Sequence, residues 1–221
     1  MDLANKILSD PINQWLFNHA RKDIYLVGGY IRDLLHGGDI SKDKDYILKH
    51  NARKIALITS NKFKGTFIEL KKDRMFRVAL NDGQFLDFSQ MQNNVLKDLS
   101  KRDFRINAIA WSPVKGLIDP FDGRTDLKNK IIRMISPENL SEDPLRLLRA
   151  YRLAAQLGFT IERDTRNYLR KYSSKIKKTA SERITQELFK LLMTENASYY
   201  IALCEKDKVL HKILNVTNAK I

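Results

Sequence analysis

At 221 residues the chain is long enough for one large domain or two small ones with a core of their own. Forty Lys and Arg against 26 Asp and Glu give a net charge of +14, an excess that points to a polyanionic partner, nucleic acid before membrane. One cysteine, Cys204, excludes an internal disulfide and a cysteine-based zinc site; with no signal-like N-terminus and no apolar run of transmembrane length, a cytoplasmic protein with no membrane partner is expected.

Residues 12–21 carry Ile12, Trp15, Leu16 and Ala20 at helical spacing and predict an amphipathic first helix. The next stretch, YLVGGYIRDLLHGGDISKDKDYIL over 25–48, predicts a short apolar strand, a Gly28-Gly29 turn, a helical turn bearing Arg32, and a second strand holding Asp43 and Asp45. Paired glycines let backbone approach an anion, and a helix N-terminus there presents unbonded N–H groups to phosphate. Carboxylates at i and i+2 of a strand share a face, so both can hold divalent cations that bridge a triphosphate. Each part also has a plainer reading, an ordinary turn and a solvated edge strand. Their order within 25–48 predicts a metal-dependent site for phosphoryl or nucleotidyl transfer.

Residues 52–60 read as a helix, and Lys62–Leu70, Met75–Leu80 and Gln84–Phe88 as strands, with Asn81-Asp82-Gly83 as a hairpin turn. Asp87 lies in the last strand as FLDF. It fits a strand with one solvated face, and equally a third carboxylate of the site, on the sheet that carries Asp43 and Asp45. In KRDFRINAIA, Arg102 is suited to phosphates and Asp103 or Asn107 to ribose hydroxyls; a surface Arg–Asp pair is the competing reading. Residues 116–132 read as a supporting loop, with Asp119, Pro120 and Asp122-Gly123 as turn formers.

From Pro137 onward no strand pattern recurs, which sets a domain boundary near residues 136–140. SEDPLRLLRAYRLAAQLGF predicts a helix capped by Ser141, with Pro144 in its first turn and an end near Gly158. Asp143, Arg146, Arg149 and Arg152 fan across one half of it. An acid and an arginine one turn apart can read a base edge, or can simply pair on a helix surface. Further helices are expected at about 163–173, 180–193 and 196–207. Arg166, Arg170, Lys171, Lys175, Lys177 and Lys178, interleaved with Tyr168 and Tyr172, suit contact with an RNA backbone or form a solvated charged face. The histidines lack metal-ligand spacing, and Met75, Met91, Met134 and Met193 read as core filling.

Jointly, LVGGYIRD with DKDY, KRDFRINAIA, DPFDG, EDPLRLLRAYRLAAQLGF and SERITQEL resemble the bacterial-type (class II) tRNA nucleotidyltransferase and poly(A) polymerase family, of the polymerase-β nucleotidyltransferase superfamily, from about residue 24 to 190. The resemblance implies an α+β fold: a mixed-sheet catalytic head over 1–137, then an all-helical neck over 138–221, with the family's body and tail regions expected to be absent. It implies that Asp43 and Asp45 bind Mg²⁺ and that Asp87 is the third catalytic carboxylate. Gly28, Gly29 and Arg32 would meet the triphosphate, and Arg102, Asp103 and Asn107 the nucleotide's phosphates and ribose. Asp143 and Arg146, with Arg149 and Arg152 on the same helix, would select ATP or CTP by the Watson–Crick edge. The implied reaction adds C, A or both to a tRNA 3′ end. The short 88–101 connection resembles the CC-adding subgroup; a poly(A) polymerase or A-adding enzyme shares the motifs, and a catalytically silent RNA-binding module is the alternative of another class. Oligomeric state is not legible.

Overall fold

The computed structural model describes residues 2–38 and 40–214, which form an α+β fold with a mixed sheet and a helical part. Two compact units are present. The first comprises the chain up to Arg102 together with Ile106–Leu127; the second comprises Asp103–Arg105 and the chain from Lys128 onward.

The first unit is organised on seven strands: β1 (Ile24–Val27), β2 (Lys44–Leu48), β3 (Thr66–Lys71), β4 (Met75–Ala79), β5 (Phe85–Gln90), β6 (Ala110–Ser112) and β7 (Gly116–Ile118). They lie in the order β3-β4-β5-β2-β1-β6-β7. Only β2 and β5 pair in parallel, so the sheet is mixed. β1 is apolar throughout and buried at every position, as a central strand covered on both faces requires.

Five helices belong to this sheet: α1 (Leu3–Leu8), α2 (Pro11–Ala20), α3 (Gly29–His36), α4 (Ala52–Lys62) and α5 (Val95–Leu99). Asp10 starts α2 by accepting the N–H groups of Ile12 and Asn13, with Pro11 at the first position. α3 follows β1 directly and stops at Gly37, whose φ of 82° is the left-handed conformation of a helix C-terminus. Tyr46 stacks on Phe88 at 5.3 Å between β2 and β5, and Phe17 meets Trp111 edge-on at 5.0 Å.

Two expectations need correction here. The strand expected from Lys62 begins only at Thr66, because α4 continues through Lys62 and the chain then turns at Lys64 and Gly65. Gly65 is required there: a Cβ would stand 2.7 Å from Val78 Cγ1. The supposed loop over 116–132 contains β7, helix α6 (Gly123–Lys128) and a short strand, β8 (Ile131–Ile132). Asp119, read as a turn former, accepts the N–H groups of Gly123 and Arg124 at the start of α6.

The second unit contains α7 (Pro137–Glu142), α8 (Leu145–Leu157), α9 (Arg163–Lys171), α10 (Ser181–Leu192), α11 (Ala197–Lys206) and α12 (Val209–Leu214). It is not purely helical beyond Pro137. β9 (Thr160–Ile161) pairs in parallel with β8, after Gly158 ends α8 at a φ of 67°. α8 buries Leu147, Leu148, Tyr151, Ala154 and Ala155 and is the helix around which this unit packs.

Ser141 is not the cap of α8. Ser136 caps α7 by accepting the N–H of Asn139, and Ser141 lies inside α7. Pro144 excludes the helical conformation from the residue before it, so Asp143 is extended, at φ −132° and ψ 95°, and α8 starts only at Leu145. Met193, expected in the core, is 86% exposed just beyond α10.

Candidate active site

The parallel pairing of β2 with β5 sets Asp45 directly beside Asp87, and the antiparallel pairing of β4 with β5 sets Arg77 on the other side of Asp87. Residues paired across neighbouring strands project to one face, and Asp43 lies at the entry to β2, two residues before Asp45. One face of the sheet therefore carries Asp45, Asp87 and Arg77; Asp43, expected within the second strand, lies just before it, because β2 starts only at Lys44. Asp43 accepts the backbone N–H of Phe85 at 2.8 Å, which ties the entry of β2 to the start of β5.

The carboxylates differ in their partners. Arg77 grips Asp87 with two parallel bonds, Nε to Oδ1 at 2.7 Å and Nη2 to Oδ2 at 2.8 Å. Asp45 has one long contact with Arg102 Nη1, at 3.5 Å, and its side chain keeps 43% of its exposure. Loss of water around that carboxyl raises its pKa; the Arg102 guanidinium opposes the shift, while the Asp87 and Asp43 charges add to it. Asp45 thus stands in a concentration of negative charge that one distant arginine only partly offsets.

The Gly28 turn adjoins these groups. Gly28 has φ 78°, its N–H bonds to Ile109 O at 3.1 Å, and a Cβ on it would stand 2.9 Å from Arg102 Nη1 and 3.0 Å from Asp45 Oδ2. Both the left-handed conformation and the close approach exclude a side chain. Gly29 opens α3, with the Arg32 guanidinium about one van der Waals contact away from its Cβ position, at 3.5 Å. Arg32 is 5% exposed; it donates to Asp33 through Nε at 2.8 Å and to Asn107 Oδ1 through Nη1 at 2.8 Å. Asp33 in turn accepts the N–H of Ser41 at 3.2 Å. Arg32, Asp33 and Asn107 are thus one buried network under the glycine turn.

The second unit holds the remaining expected site residues. Asp103 is 4% exposed and pairs with Arg149 Nη1 at 3.2 Å. Arg149 also faces Glu187, at 3.7 Å, and Arg152 donates to the same carboxylate at 2.8 Å and to Gln156 at 2.7 Å. Burial works against the Arg149 charge, and Asp103 and Glu187 outweigh it and raise its pKa. Asp143 accepts from Arg183 of α10 at 2.9 Å, and Arg146 Nη1 donates to the backbone oxygen of Asn139 at 2.9 Å.

The basic tract is less open than its sequence. Arg166 and Arg170 bond Asp207, at 2.7 and 2.5 Å, and that carboxylate is fully buried and also accepts from Tyr151 at 2.9 Å. These two arginines tie α9 to Asp207 within the helical unit. Tyr168 and Tyr172 lie 4.4 Å apart, and the Lys171 and Lys175 ammonium groups stand 5.3 and 4.7 Å from the Tyr172 ring centre.

Arg77, Asp33, Glu187, Arg183 and Asp207 take part in these networks and were not singled out in the sequence. Arg77 had a usable signal. A hairpin turning about Asp82 places residues whose numbers sum to 164 opposite each other, and 77 with 87 is such a pair. Glu187 and Arg183 had none, because their partners come from helices distant in sequence. Among the described residues no group of three His, Cys, Asp or Glu could hold a metal ion by itself, and no helix is long and apolar enough to cross a membrane.

Comparison with known proteins bears on the family and the fold. Residues 24–133 match the family described as the poly A polymerase head domain, and residues 158–221 match the probable RNA and SrmB-binding site of polymerase A. A CC-adding tRNA nucleotidyltransferase of Synechocystis is 39% identical over 189 residues, covering 84% of this chain and 45% of that protein. An A-adding tRNA nucleotidyltransferase of Deinococcus radiodurans is 36% identical over 191 residues, covering 81% and 42%. The chain thus spans about half the length of these curated relatives. Among solved structures, the Thermotoga maritima CCA-adding enzyme complexed with tRNA_CCA superposes with a TM-score of 0.85 at 29% identity, covering all of this chain and 57% of that one. A CCA-adding enzyme with ATP gives 0.82 at 30% identity, covering 98% and 57%. With its two motif-bearing segments matched in order and its sheet and helices superposed, the chain belongs to the tRNA nucleotidyltransferase and poly(A) polymerase family.

Proposed function

We propose that this chain is the catalytic part of a cytoplasmic tRNA nucleotidyltransferase that adds C, A or both to a tRNA 3′ end from CTP and ATP, releasing pyrophosphate. The observation that carries the reading is the strand register that sets Asp45 beside Asp87, with Asp43 at the entry to β2 and the Gly28 turn and Arg102 against Asp45. In this reading residues 1–137 are the catalytic head and 138–221 the neck that chooses the nucleotide.

The donor set fits Mg²⁺. Asp43 and Asp45 offer only hard oxygen ligands, and Mg²⁺ is commonly held by one or two carboxylates with waters and substrate phosphates completing the shell. When bound, Mg²⁺ supplies charge neutralisation at the triphosphate and a lowered pKa for the attacking hydroxyl. The RNA 3′-oxygen attacks the α-phosphorus, and the bond to pyrophosphate breaks. Arg102, Arg32 and the amides of Gly28-Gly29 hold the triphosphate, and Asp103 and Asn107 serve the ribose. Asp87, gripped by the Arg77 fork, completes the acidic face. Asp143 and Arg146 read the base edge, with Arg149 and Arg152 on the same helix, tied to Asp103 and Glu187. Positioning and electrostatics supply most of the rate in such a transfer.

The test uses a tRNA transcript lacking its 3′ CCA, Mg²⁺, and each nucleoside triphosphate singly and together, with products resolved to one nucleotide. Extension by C, A or both supports the reading and names the specificity. A stop after two C residues makes the enzyme CC-adding, and one A on a CC-ended tRNA makes it A-adding, as in the Deinococcus relative's name. No incorporation by a folded chain that still binds tRNA would leave only a silent RNA-binding module.

A further inference from the structure

Arg77 has no place in the scheme above except through Asp87, and its geometry there is specific. It lies on β4, directly opposite Asp87 on β5, and its guanidinium covers both carboxylate oxygens, at 2.7 and 2.8 Å. The guanidinium also sits over the Phe85 ring, 4.6 Å from its centre. Asp87 keeps 13% of its side-chain exposure and Arg77 31%, so the pair is shielded enough for its orientation to be held. Asp43, by contrast, forms no ion pair among the described residues, and Asp45 has only the 3.5 Å contact with Arg102.

We infer that Arg77 is a positioning residue for nucleotidyl transfer: its fork fixes the plane of Asp87 and offsets one negative charge of the Asp43, Asp45 and Asp87 carboxylates, leaving Asp43 and Asp45 to take the cation. This rests on the reading of those carboxylates as the transfer site. The physical reasoning has two parts. A forked donor takes both in-plane lone-pair directions that face it, so Asp87 can meet a ligand only from the Asp45 side. A lysine would keep the charge without the fork, so the two contributions can be separated by substitution.

The two contributions also act in opposite directions on cation binding. Removing the guanidinium leaves Asp87 uncompensated beside Asp45, which attracts a divalent cation more strongly while freeing the carboxylate to rotate out of place. An arginine that served only to hold β4 against β5 would do neither.

The experiment compares the whole chain with Arg77→Gln and Arg77→Lys, reading Mn²⁺ binding by electron paramagnetic resonance without nucleotide, and Mg²⁺-supported transfer to tRNA. For Arg77→Gln the expectation is tighter Mn²⁺ binding together with a kcat lowered roughly 10–100-fold, the usual cost of losing a group that orients a metal-site carboxylate. For Arg77→Lys, Mn²⁺ binding stays within about twofold of the parent, because the charge is kept, while kcat falls by a similar factor, because the fork is lost. If Arg77→Gln does not fold, Arg77→Lys alone decides through that split. A kcat close to the parent's in both variants, or weaker Mn²⁺ binding in Arg77→Gln, overturns the assignment of Arg77 while the transfer site stands. A parent chain that neither binds Mn²⁺ nor transfers nucleotide overturns the site and this inference together.

Discussion

The acidic face of the seven-stranded sheet and the charged faces of the helical unit use the same residue types in opposite ways. On the sheet, Asp43 is held by a backbone N–H, Asp45 by one long arginine contact, and only Asp87 by a close ion pair. In the helical unit, Asp103, Glu187 and Asp207 each take one or two arginines at close range. A carboxylate that meets an arginine at 2.7 Å inside a protein is already satisfied, and a ligand would have to replace a strong bond to use it. Carboxylates left short of cations keep their field for a ligand. By this measure Asp43 and Asp45 are left open to a ligand, whereas Glu187 and Asp207 hold the helical unit together. Asp143 and Arg146 lie between the two extremes, with a half-exposed partner in Arg183 and a backbone acceptor in Asn139.

The largest test is on the sheet. Asp45→Ala is expected to lower transfer by roughly a thousandfold or more, the equivalent of several kcal/mol of lost charge stabilisation, with circular dichroism and melting temperature near the parent's. Normal turnover would end the reading of this face as the reaction centre.

The matching test in the helical unit reads stability instead. Asp207→Ala removes the acceptor of three side chains and leaves Arg166 and Arg170 without it, so a loss of about 3–5 kcal/mol is expected in denaturant unfolding. A loss below about 1 kcal/mol would mean the network is no more than a surface pair. The same group predicts a pH dependence. Burial by itself would raise the Asp207 carboxyl, and hydrogen bonds from Arg166, Arg170 and Tyr151 bring it below its ordinary value. The folded pKa therefore lies under the unfolded one of about 3.9, so the stabilisation is whole above that value and is lost as pH falls through the folded pKa. Acid titration of the parent against Asp207→Asn isolates that limb; identical acid transitions would contradict the assignment.

Arg146→Ala sits between these cases. The expectation is a loss of discrimination between CTP and ATP of about 1–3 kcal/mol in relative kcat/KM, the size of one good base-edge contact, and unchanged selectivity would remove Arg146 from base reading. The smallest effect is expected of Arg183→Ala. Its side chain is 50% exposed, so breaking the pair with Asp143 should change stability by no more than about 1 kcal/mol. A larger loss would move Asp143 into the class of structural carboxylates, alongside Asp207.

Much of the sheet region was legible because its information is local. A turn at 81–83 sets which residues of β4 and β5 face each other, and a glycine pair after an apolar strand restricts what can follow. The misreadings came where a longer-range contact decided the outcome. Residues 116–132 read as a loop because Pro, Gly and Asp cluster there, yet Asp119 uses the same chemistry to start α6. Arg166 and Arg170 read as part of a basic tract, RNA-contacting or simply solvated; the ion pairs they make were not legible because their partner, Asp207, comes from the end of α11. The cap of α8 was misassigned because Pro144 acts on the residue before it and so separates α7 from α8.

What the sequence determined by itself was the family, the strand and helix order around the glycine turn, and the presence of Asp45 and Asp87 on strand-forming segments with Asp43 just before the first of them. Each of these depends on residue type and short spacing, which the chain carries whatever its final packing. What only the tertiary structure decided was which charges are compensated. That requires a partner at a distance of about 3 Å, and such partners reach each other through strand register and helix packing across separations such as Asp103 to Arg149 or Arg152 to Glu187. The parallel pairing of β2 with β5 is of this kind, because no turn links the two strands and only the folded sheet brings Asp45 to Asp87.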